Sequence, residues 1–271
     1  MKYVFVTVNY NGYSHTETFI KSVNEIIIED SDTIEIIVVD NCSVKEDLDK
    51  HEELISKKKN VTLLKSEENL GYFGGMNVGL DAIEYKKEKI ILICNNDLTF
   101  SNDFLVNYKK VEYASDIFLI APNIITKEGK QQNPLLIGKL NKLAILKADI
   151  YTSNYYIGTL SKLIFSSLNK FRKEKVALTN GYGQMIIGQG IGACYILTEN
   201  FLDTFDRLDN KVFLWGEETI LRNQIEQHGG KTLYCPTLKI VHHESASVSK
   251  IQSRKKYDIL RKSYKVYRKY L

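Results

Sequence analysis

Short stretches rich in valine and isoleucine alternate with stretches of helical periodicity along the first 125 residues of the chain. This composition is typical of parallel strands that are buried on both faces of a sheet. The strand-like stretches read KYVFVTV, TIEIIVVD, NVTLLK, EKIILIC and DIFLIAP, and the helical stretches cover residues 15–28, 45–58, 75–87 and 101–114. The alternation predicts right-handed βαβ units and an α/β fold with a Rossmann-like, mostly parallel, doubly wound sheet.

Composition narrows the class of protein further. Hydrophobic residues make up 44% and charged residues 26% of the 271 residues, so a full-sized core is available and global disorder is excluded. The four cysteines form no CxxC pair, which argues against a zinc knuckle or a disulfide framework. Strand-like sequence begins at Lys2, and no stretch reaches about 18 uninterrupted apolar residues. We therefore expect a cytoplasmic protein without a transmembrane helix.

Polar side chains follow each of the first four predicted strands. Because the carboxyl ends of parallel strands meet at one edge of a sheet, we expect these clusters to converge there. A turn or a helix cap explains any single cluster equally well, but four at one edge predict a pocket. The clusters are NYNG (residues 9–12), DNCS (40–43), ENLGYFGGMN (68–77) and NNDL (95–98).

The residue types in these clusters suit a nucleotide that carries phosphates. Asp40 can accept hydrogen bonds from a nucleobase or from a ribose hydroxyl. Gly71, Gly74 and Gly75 permit close backbone approach before a helix whose N-terminus attracts anions, although packing alone can also require glycine. Asp97 can bind a divalent cation that bridges phosphate oxygens. A dinucleotide-binding fold is not indicated, because no GxGxxG follows the first strand.

The motifs VTVNYNG, IIVVDNCS, NLGYFGGMNVGLDAI and ILICNNDLTF resemble, in order and spacing, those of the family 2 glycosyltransferases with the GT-A fold, particularly the rhamnosyltransferase-like bacterial branch. The resemblance implies that NND is the DXD-type metal site, with Asp97 on the metal and Asn95 at the outer position. The residues it implies for binding the nucleotide-sugar donor are Thr7, Asn9, Asn11, Asp40, Asn41, Asn69, Gly71, Gly74, Asn77, Asn95, Asn96 and Trp215.

The resemblance also implies a catalytic base in the later segment LWGEETILRNQ. In this family an aromatic residue precedes two acids, and the second acid, here Glu218, takes the proton of the attacking hydroxyl while Glu217 lies beside it. The diphosphate leaving group needs charge neutralisation rather than a proton, so one carboxylate and one cation suffice and displacement should invert the anomeric centre. The alternative for both glutamates is an acidic first helical turn favoured by the helix dipole.

A histidine of the segment KIVHHESAS is expected to complete the metal site. Family members often carry a histidine after the last strand that reaches the metal or the diphosphate, and His242 matches this position. An ordinary surface histidine is the alternative interpretation. A site that combines aspartate with imidazole suits Mn²⁺ somewhat better than Mg²⁺, and either ion is the expected cofactor.

The sequence divides into four predicted segments. Residues 1–125 form the nucleotide-sugar-binding half of a GT-A domain, residues 126–187 a helical insertion, and residues 188–250 the acceptor and catalytic half of the same domain. Residues 251–271 form a basic amphipathic helix with eight Lys or Arg and one Asp. Its apolar stripe consists of Tyr257, Leu260, Tyr264, Tyr267 and Leu271. This stripe either packs on the catalytic domain or lies on the anionic inner face of the plasma membrane.

These features favour an inverting, metal-dependent glycosyltransferase. The donor would be a nucleotide diphosphate sugar of rhamnose or a hexose, and the acceptor a hydroxyl of a bacterial surface polysaccharide or a lipid-linked glycan. A sugar-nucleotide pyrophosphorylase is disfavoured, because NYNGYSH lacks the Arg and Lys of its Gly-rich loop. The alternative from another class is a non-catalytic nucleotide-sugar-binding or membrane-associated scaffold. Nucleic acid is not an expected partner, since the net charge of +4 comes from the tail.

Overall fold

The computed structural model describes residues 1–161, 183–244 and 253–271. These residues build an α/β fold around one mixed sheet. Its strands in the described ranges are β1 (Lys2–Asn9), β2 (Thr33–Asp40), β3 (Val61–Lys65), β4 (Ile90–Asn95), β5 (Leu98–Phe100), β6 (Ile117–Thr126), β7 (Met185–Ile187), β8 (Cys194–Leu197) and β9 (Lys231–His242).

The strand order is β3-β2-β1-β4-β8-β6-β9-β5, and β7 pairs with β9. The predicted parallel core is confirmed in β1 to β4, where β1 lies between β2 and β4 in parallel register. β8 runs antiparallel to both β4 and β6, and β5 and β7 run antiparallel to β9. The longest pairing, between β6 and β9, is parallel, so the sheet is mostly parallel with shorter antiparallel additions.

Helices cover both faces of the sheet, as a doubly wound arrangement requires. Those in the described ranges are α1 (Tyr13–Asn24), α2 (Lys45–Ser56), α3 (Tyr72–Asp81), α4 (Phe104–Tyr108), α5 (Lys142–Ser153), a short helix Glu199–Thr204, the acidic helix Glu217–Glu226 and the C-terminal helix Ser253–Tyr267. Two 3₁₀ turns, Lys86–Glu88 and Arg268–Tyr270, add to these, and residues 155–161 are also helical.

Alternation along β1 divides the core into two layers. Tyr3 and Phe5 pack with α1, α2 and α4 on one face, whereas Val4 and Val6 pack with α3 and the acidic helix on the other. Each β1 side chain therefore meets a helix, which explains why the strand is apolar on both faces. α3 lies very close to the sheet: a Cβ at Gly79 would be 2.4 Å from a methyl of Val6.

Two predicted segments have more varied structure than the sequence indicated. The helix expected over residues 101–114 is limited to α4. Within the predicted insertion 126–187, the structure places the end of β6, α5, the helical residues 155–161 and strand β7, and residues 162–182 lie outside the described residues. Within the part of the chain that is described, every helix is too short or too polar to cross a bilayer.

Candidate active site

Asn9, at the end of β1, ties the ends of the first two strands together. Its side-chain amide donates to Asp40 Oδ1 at 3.0 Å, to Ser43 Oγ at 3.1 Å and to Asp47 Oδ2 at 2.8 Å. Its amide oxygen accepts from the backbone of Gly12 and from the side chain of Asn96. Asn9 and Asp40 are directly opposite in the parallel pairing of β1 and β2, so the strand pairing itself brings these two side chains together.

The other candidate residues near this network take part in backbone hydrogen bonds. Asn11 adopts a left-handed conformation with φ of 54°, and its side-chain oxygen accepts from the backbone of Val44. Asp40 is buried, and its second oxygen accepts from the backbone of Ser43. Thr7 lies fully buried within β1. The structure thus brings Asn9, Asn11, Asp40 and Asn96 together at one sheet edge.

A second group of candidate residues shapes the loop before α3. Asn41 donates to Asn69 Oδ1 at 3.1 Å and to the carbonyl of Gly71 at 2.9 Å, and it accepts from the backbone of Leu70. Gly71 has a φ of +76°, and a Cβ there would lie 2.2 Å from the carbonyl oxygen of Phe213. Only glycine permits this approach. Asn41 and Asn69 therefore hold the glycine loop against the segment that precedes the acidic helix.

Asn77 and Gly74 lie further along the same helix. The side chain of Asn77 makes two hydrogen bonds of 2.9 Å with the backbone N–H and C=O of Leu208. A Cβ at Gly74 would be 2.9 Å from Leu70 Cβ. Both residues join α3 to neighbouring segments.

A cleft beside the end of β3 adjoins the Asp40 network. The backbone N–H of Ser66 donates to the carbonyl of Asp40 at 2.9 Å, which connects the two places. The cleft has a volume of about 500 Å³, within the range of small-molecule sites. It is lined by Lys65, Ser66, Glu67, Glu68, Leu70 and Val78.

The NND segment forms the turn between β4 and β5, and this turn delivers Asp97 to His242. β5 pairs antiparallel with β9, with Leu98 opposite His242, so distant parts of the chain become neighbours. His242 Nε2 lies 3.2 Å from Asp97 Oδ1, and both side chains are buried. Asn95 precedes the turn, where its backbone N–H donates to the carbonyl of Ala193 at 2.7 Å.

Gln132 orients the imidazole of His242 from behind. Its Oε1 lies 2.7 Å from His242 Nδ1, and an amide oxygen can only accept, so Nδ1 carries a proton. Nε2 then faces Asp97 either as a donor or as a lone pair beside a cation. Two ligand atoms on one ion at right angles lie about 3 Å apart when each bond is about 2.1 Å. The spacing and donor types of Asp97 and His242 therefore fit Mn²⁺ or Mg²⁺.

The acidic helix begins at the second half of the site. Trp215 and Gly216 precede it with φ values of 66° and 97°, so two consecutive left-handed residues turn the chain into the helix. Glu217 is 4% exposed, and Glu218 Oε1 accepts from the backbone N–H of Gly192 at 3.1 Å. A Cβ at Gly192 would lie 3.1 Å from the same oxygen, so a small residue there lets the carboxylate approach the backbone.

The two glutamates have perturbed ionisation. Burial, and after it the charge of Glu218, raises the pKa of Glu217 to about 8. Burial also raises the pKa of Glu218, and its backbone hydrogen bonds, including the one from Gly192, oppose this rise. The hydrogen bond from Gly192 stabilises the charged form of Glu218, so the proton of the pair is favoured on Glu217.

Tyr72 links the two halves of the site. Its hydroxyl donates to the carbonyl of Gly192 at 2.8 Å, next to the Glu218 contact. Burial raises the pKa of Tyr72 well above its usual range, and the neighbouring Cys94 and Cys194, then Glu217 and Asp97, add to the rise. The charges of Glu217 and Asp97 thus both affect the pKa of this one hydroxyl.

A further acid and histidine grouping lies under the Asn9 network. Among the described residues, Asp40, Asp47 and His51 are the three whose ligand atoms fall within 4.8 Å of one another, so the chain has a grouping that could hold an ion. However, the amide of Asn9 already donates to both carboxylates, and His51 Nδ1 lies 2.8 Å from the carbonyl of Asp47. Hydrogen bonds from Asn9 therefore occupy the centre of this grouping.

Tyr72, Gln132 and Asp47 are site residues that the sequence did not indicate. Tyr72 stood inside a recognised motif, but its partner Gly192 is 120 residues away. Gln132 is 110 residues from His242, and no motif marks it. Asp47 lies on α2, one turn before His51. Only the tertiary structure reveals these contacts.

Solved structures with similar architecture are glycosyltransferases. A mannosyltransferase from Pyrobaculum calidifontis, solved with GDP-Man and Mn²⁺, aligns with a TM-score of 0.56 and 12% identity over 90% of this chain and 57% of its own. GalNAc-T7, solved with UDP, GalNAc and Mn²⁺, aligns with a TM-score of 0.60 and 14% identity over 90% and 44%. S. aureus TarS 1-349 aligns with a TM-score of 0.57 and 13% identity over 98% and 72%.

This chain spans about half the length of the first two of these structures, and the likeness concerns the fold. No curated protein sequence matches the chain. The mixed sheet, with its carboxylates at the strand ends, is the GT-A fold of glycosyltransferases. The model of glycosyl transferase family 2 matches residues 4–170, more than half of the chain, and the protein belongs to this family.

Proposed function

We propose that the chain is an inverting, metal-dependent glycosyltransferase that moves one sugar from a nucleoside diphosphate to an acceptor hydroxyl. The observation that carries this proposal is a pair of hydrogen bonds that joins the two halves of the site. The N–H of Asn95, two residues before Asp97, donates to the carbonyl of Ala193 at 2.7 Å, and the N–H of the adjacent Gly192 donates to Glu218 at 3.1 Å. A cation site and a buried acid pair that share one sheet edge meet the two needs of the reaction, leaving-group neutralisation and proton removal.

The donor lies along the strand ends in this proposal. Asp40 and the adjoining cleft receive the nucleoside, and the NND turn receives the diphosphate. Asp97 and His242 would hold Mn²⁺ or Mg²⁺, which offsets the charge that develops on the departing diphosphate. Two of the similar structures were solved with Mn²⁺ and with GDP-Man or UDP, which supports this choice of ligand class.

Glu218 is the proposed base. Its carboxylate takes the proton of the acceptor hydroxyl as that oxygen bonds to the anomeric carbon and the bond from carbon to the diphosphate oxygen breaks. Attack opposite the leaving group inverts the configuration. The N–H of Gly192 aims the carboxylate, and the charge of Glu218 helps to raise the pKa of Glu217, so Glu217 keeps its proton near neutral pH.

The donor sugar and the acceptor follow from the motif resemblance. We propose rhamnose or a hexose as the transferred sugar, and a bacterial surface polysaccharide or a lipid-linked glycan as the acceptor. The test is incubation with Mn²⁺ or Mg²⁺ and a panel of dTDP-, UDP- and GDP-sugars, followed by assay of nucleoside diphosphate release. Release by the wild type that is lost in Asp97→Ala and Glu218→Gln supports the proposal. Tight nucleotide-sugar binding without release by the wild type would instead indicate the scaffold alternative.

We also propose an anionic membrane surface as a partner, through α5 rather than the C-terminal helix. Leu143, Leu146 and Ile150 form an exposed apolar stripe on α5, with 57%, 53% and 37% of each residue exposed. Residues 130–148 contain four lysines and no acid. An apolar face flanked by lysines suits the headgroup region of anionic lipid. A lipid-linked acceptor at the inner face of the plasma membrane would make this location useful.

Liposome sedimentation tests the membrane proposal. The double variant Leu143→Ser with Leu146→Ser should lose most binding to phosphatidylglycerol vesicles, and phosphatidylcholine vesicles should bind neither protein. Ile27→Ser, which removes another exposed apolar side chain, is the matched control and should bind as the wild type does. Equal sedimentation of the double variant and the control would refute the assignment to α5.

A further inference from the structure

The C-terminal helix is anchored by α5 along one side. Tyr257 donates to the carbonyl of Tyr151 at 2.9 Å, and Arg261 donates to the carbonyl of Thr152 at 2.9 Å. Near the end of the helix Tyr264 Oη lies 2.5 Å from Asp149. Tyr257 and Tyr264 are each only 5% exposed. The predicted tyrosine stripe therefore contacts the protein itself.

The same helix also contacts the left-handed turn that opens the acidic helix. Ser263 donates to the carbonyl of Leu214 at 2.6 Å, and Lys256 Nζ lies 5.6 Å from the centre of the Trp215 ring. The ring of Tyr267 lies against Gly216, where a Cβ would be 2.1 Å from the ring carbon Cδ1. The ring thus packs directly on the residue before Glu217.

This contact stabilises an unfavourable backbone. Trp215 has a φ of 66°, a backbone conformation that residues other than glycine rarely adopt. Residues in such regions persist only where the surroundings hold them. On the side of the C-terminal helix, this turn is held by the hydrogen bond from Ser263 to Leu214 and by the ring of Tyr267 against Gly216. Since the acidic helix starts two residues after Trp215, at Glu217, these contacts also affect the direction of the glutamate pair.

Tyr267 also reaches the pair electrostatically. Burial raises the pKa of Tyr267 to about 12, and the charges of Glu218 and then Glu217 add to the rise. The ring of Tyr267 is therefore uncharged at neutral pH, and it lies beside the two acids. Among the described residues, the phenols of Tyr72 and Tyr195 also face the pair, and burial is the main cause of the rise in the pKa of each. Removal of the Tyr267 ring would let water reach the two acids.

We propose that Tyr267 is a positioning residue for the catalytic base, an inference that rests on the proposed function. Its ring holds the Trp215 and Gly216 turn and shields the glutamate pair from water. Through this ring, the C-terminal helix contributes to the position of the catalytic base. The phenol ring performs this role, and the hydroxyl is dispensable.

Tyr267→Ala is the variant that tests the role, and Tyr257→Ala is the matched control. Tyr257 belongs to the same helix and also packs on a glycine, Gly158, but it contacts Gly158 and Tyr151 rather than the turn before the glutamate pair. Tyr267→Ala should lower kcat by about 10- to 100-fold with little change in the donor KM, because a misdirected base slows the chemical step. Its pH profile should move to lower pH, because water would lower the pKa of Glu217. Tyr267→Phe should retain the wild-type profile.

A readout independent of activity separates this inference from the proposed function. Carbon-13 NMR of labelled glutamate carboxyls, assigned with Glu217→Gln, gives the pKa of Glu217 in each variant. A fall in Tyr267→Ala, with no change in Tyr257→Ala, supports the positioning role even if no transfer is detected. An unchanged Glu217 pKa in Tyr267→Ala, or equal kcat losses in the two alanine variants with unmoved pH profiles, would overturn it. Absence of any sugar transfer by the wild type would count against the proposed function alone.

Discussion

The two ends of the candidate active site place carboxylates beside different chemical groups. At one end Asp97 faces the imidazole of His242 at 3.2 Å, and at the other the buried Glu217 and the partly buried Glu218 are the first two residues of one helix. A metal cation or an imidazolium beside a carboxylate favours its charged form, whereas burial next to a like charge favours the neutral form. The same fold thus places chemically similar groups in two environments that favour opposite ionisation states.

Loss of the metal end should have the largest effect. Asp97→Ala should reduce transfer by more than about 10⁴-fold, because both diphosphate binding and leaving-group neutralisation depend on the cation. Calorimetric titration with nucleoside diphosphate should no longer show enhancement by Mn²⁺. Full Mn²⁺ enhancement in this variant would remove Asp97 from the metal site.

The base end should respond through turnover rather than binding. Glu218→Gln should lower kcat by about 10² to 10⁴-fold, the usual contribution of a general base, and should leave the donor dissociation constant unchanged. Glu217→Gln should cost less, because it keeps a neutral hydrogen-bonding group where a protonated acid stands. Single-turnover kinetics on both variants provide the measurement. The reverse ranking would assign the base to Glu217.

The Glu217→Gln variant should also change how stability depends on pH. The pKa of Glu217 is raised from 4.5 to about 8 in the folded protein. Its contribution to stability is therefore complete below pH 4.5 and declines as pH rises through 8. The glutamine variant lacks this loss and should be more stable than the wild type at pH 8 by a few kcal/mol, on the order implied by the shift. Urea unfolding at pH 5 and pH 8 checks this, and an equal difference at both pH values would contradict it.

The Asn9 network offers a third carboxylate environment. Asn9→Ala should lower the free energy of unfolding by about 2–3 kcal/mol, because Asp40 and Asp47 lose a buried donor. Asn60→Ala, which removes a partly exposed amide that donates to Asn24 and to the carbonyl of Ile34, is the control and should cost less than about 1 kcal/mol. Urea unfolding of both variants gives the comparison, and similar costs would mean that the network adds no stability.

The smallest effect is expected at the grouping whose centre is filled. Asp47→Asn should change Mn²⁺ affinity by less than about 2-fold, because the amide of Asn9 already occupies the place an ion would take. Electron paramagnetic resonance of free Mn²⁺ in the presence of nucleoside diphosphate provides the measurement. Loss of Mn²⁺ binding here, with retention in Asp97→Ala, would move the metal site to Asp40, Asp47 and His51.

Much of the fold follows from local sequence pattern. Val and Ile on both faces of the first four strands require helices above and below, and this arrangement is confirmed by the two core layers. The polar clusters after these strands lie at one edge because parallel strands point the same way. Chain direction and periodicity are local properties, so the sequence alone is sufficient for them.

The pairings between distant segments were decided by the tertiary structure alone. The approach of His242 to Asp97 depends on the antiparallel register of β5 and β9, and that of Gln132 on the loop after β6. The sequence allowed two positions for the C-terminal stripe, and the structure packs Tyr257 and Tyr264 against α5. Motifs report which residues a site uses, but register and helix docking are set by core packing summed over the whole chain. That packing determines which buried acids become neighbours, and hence which of them keeps its proton.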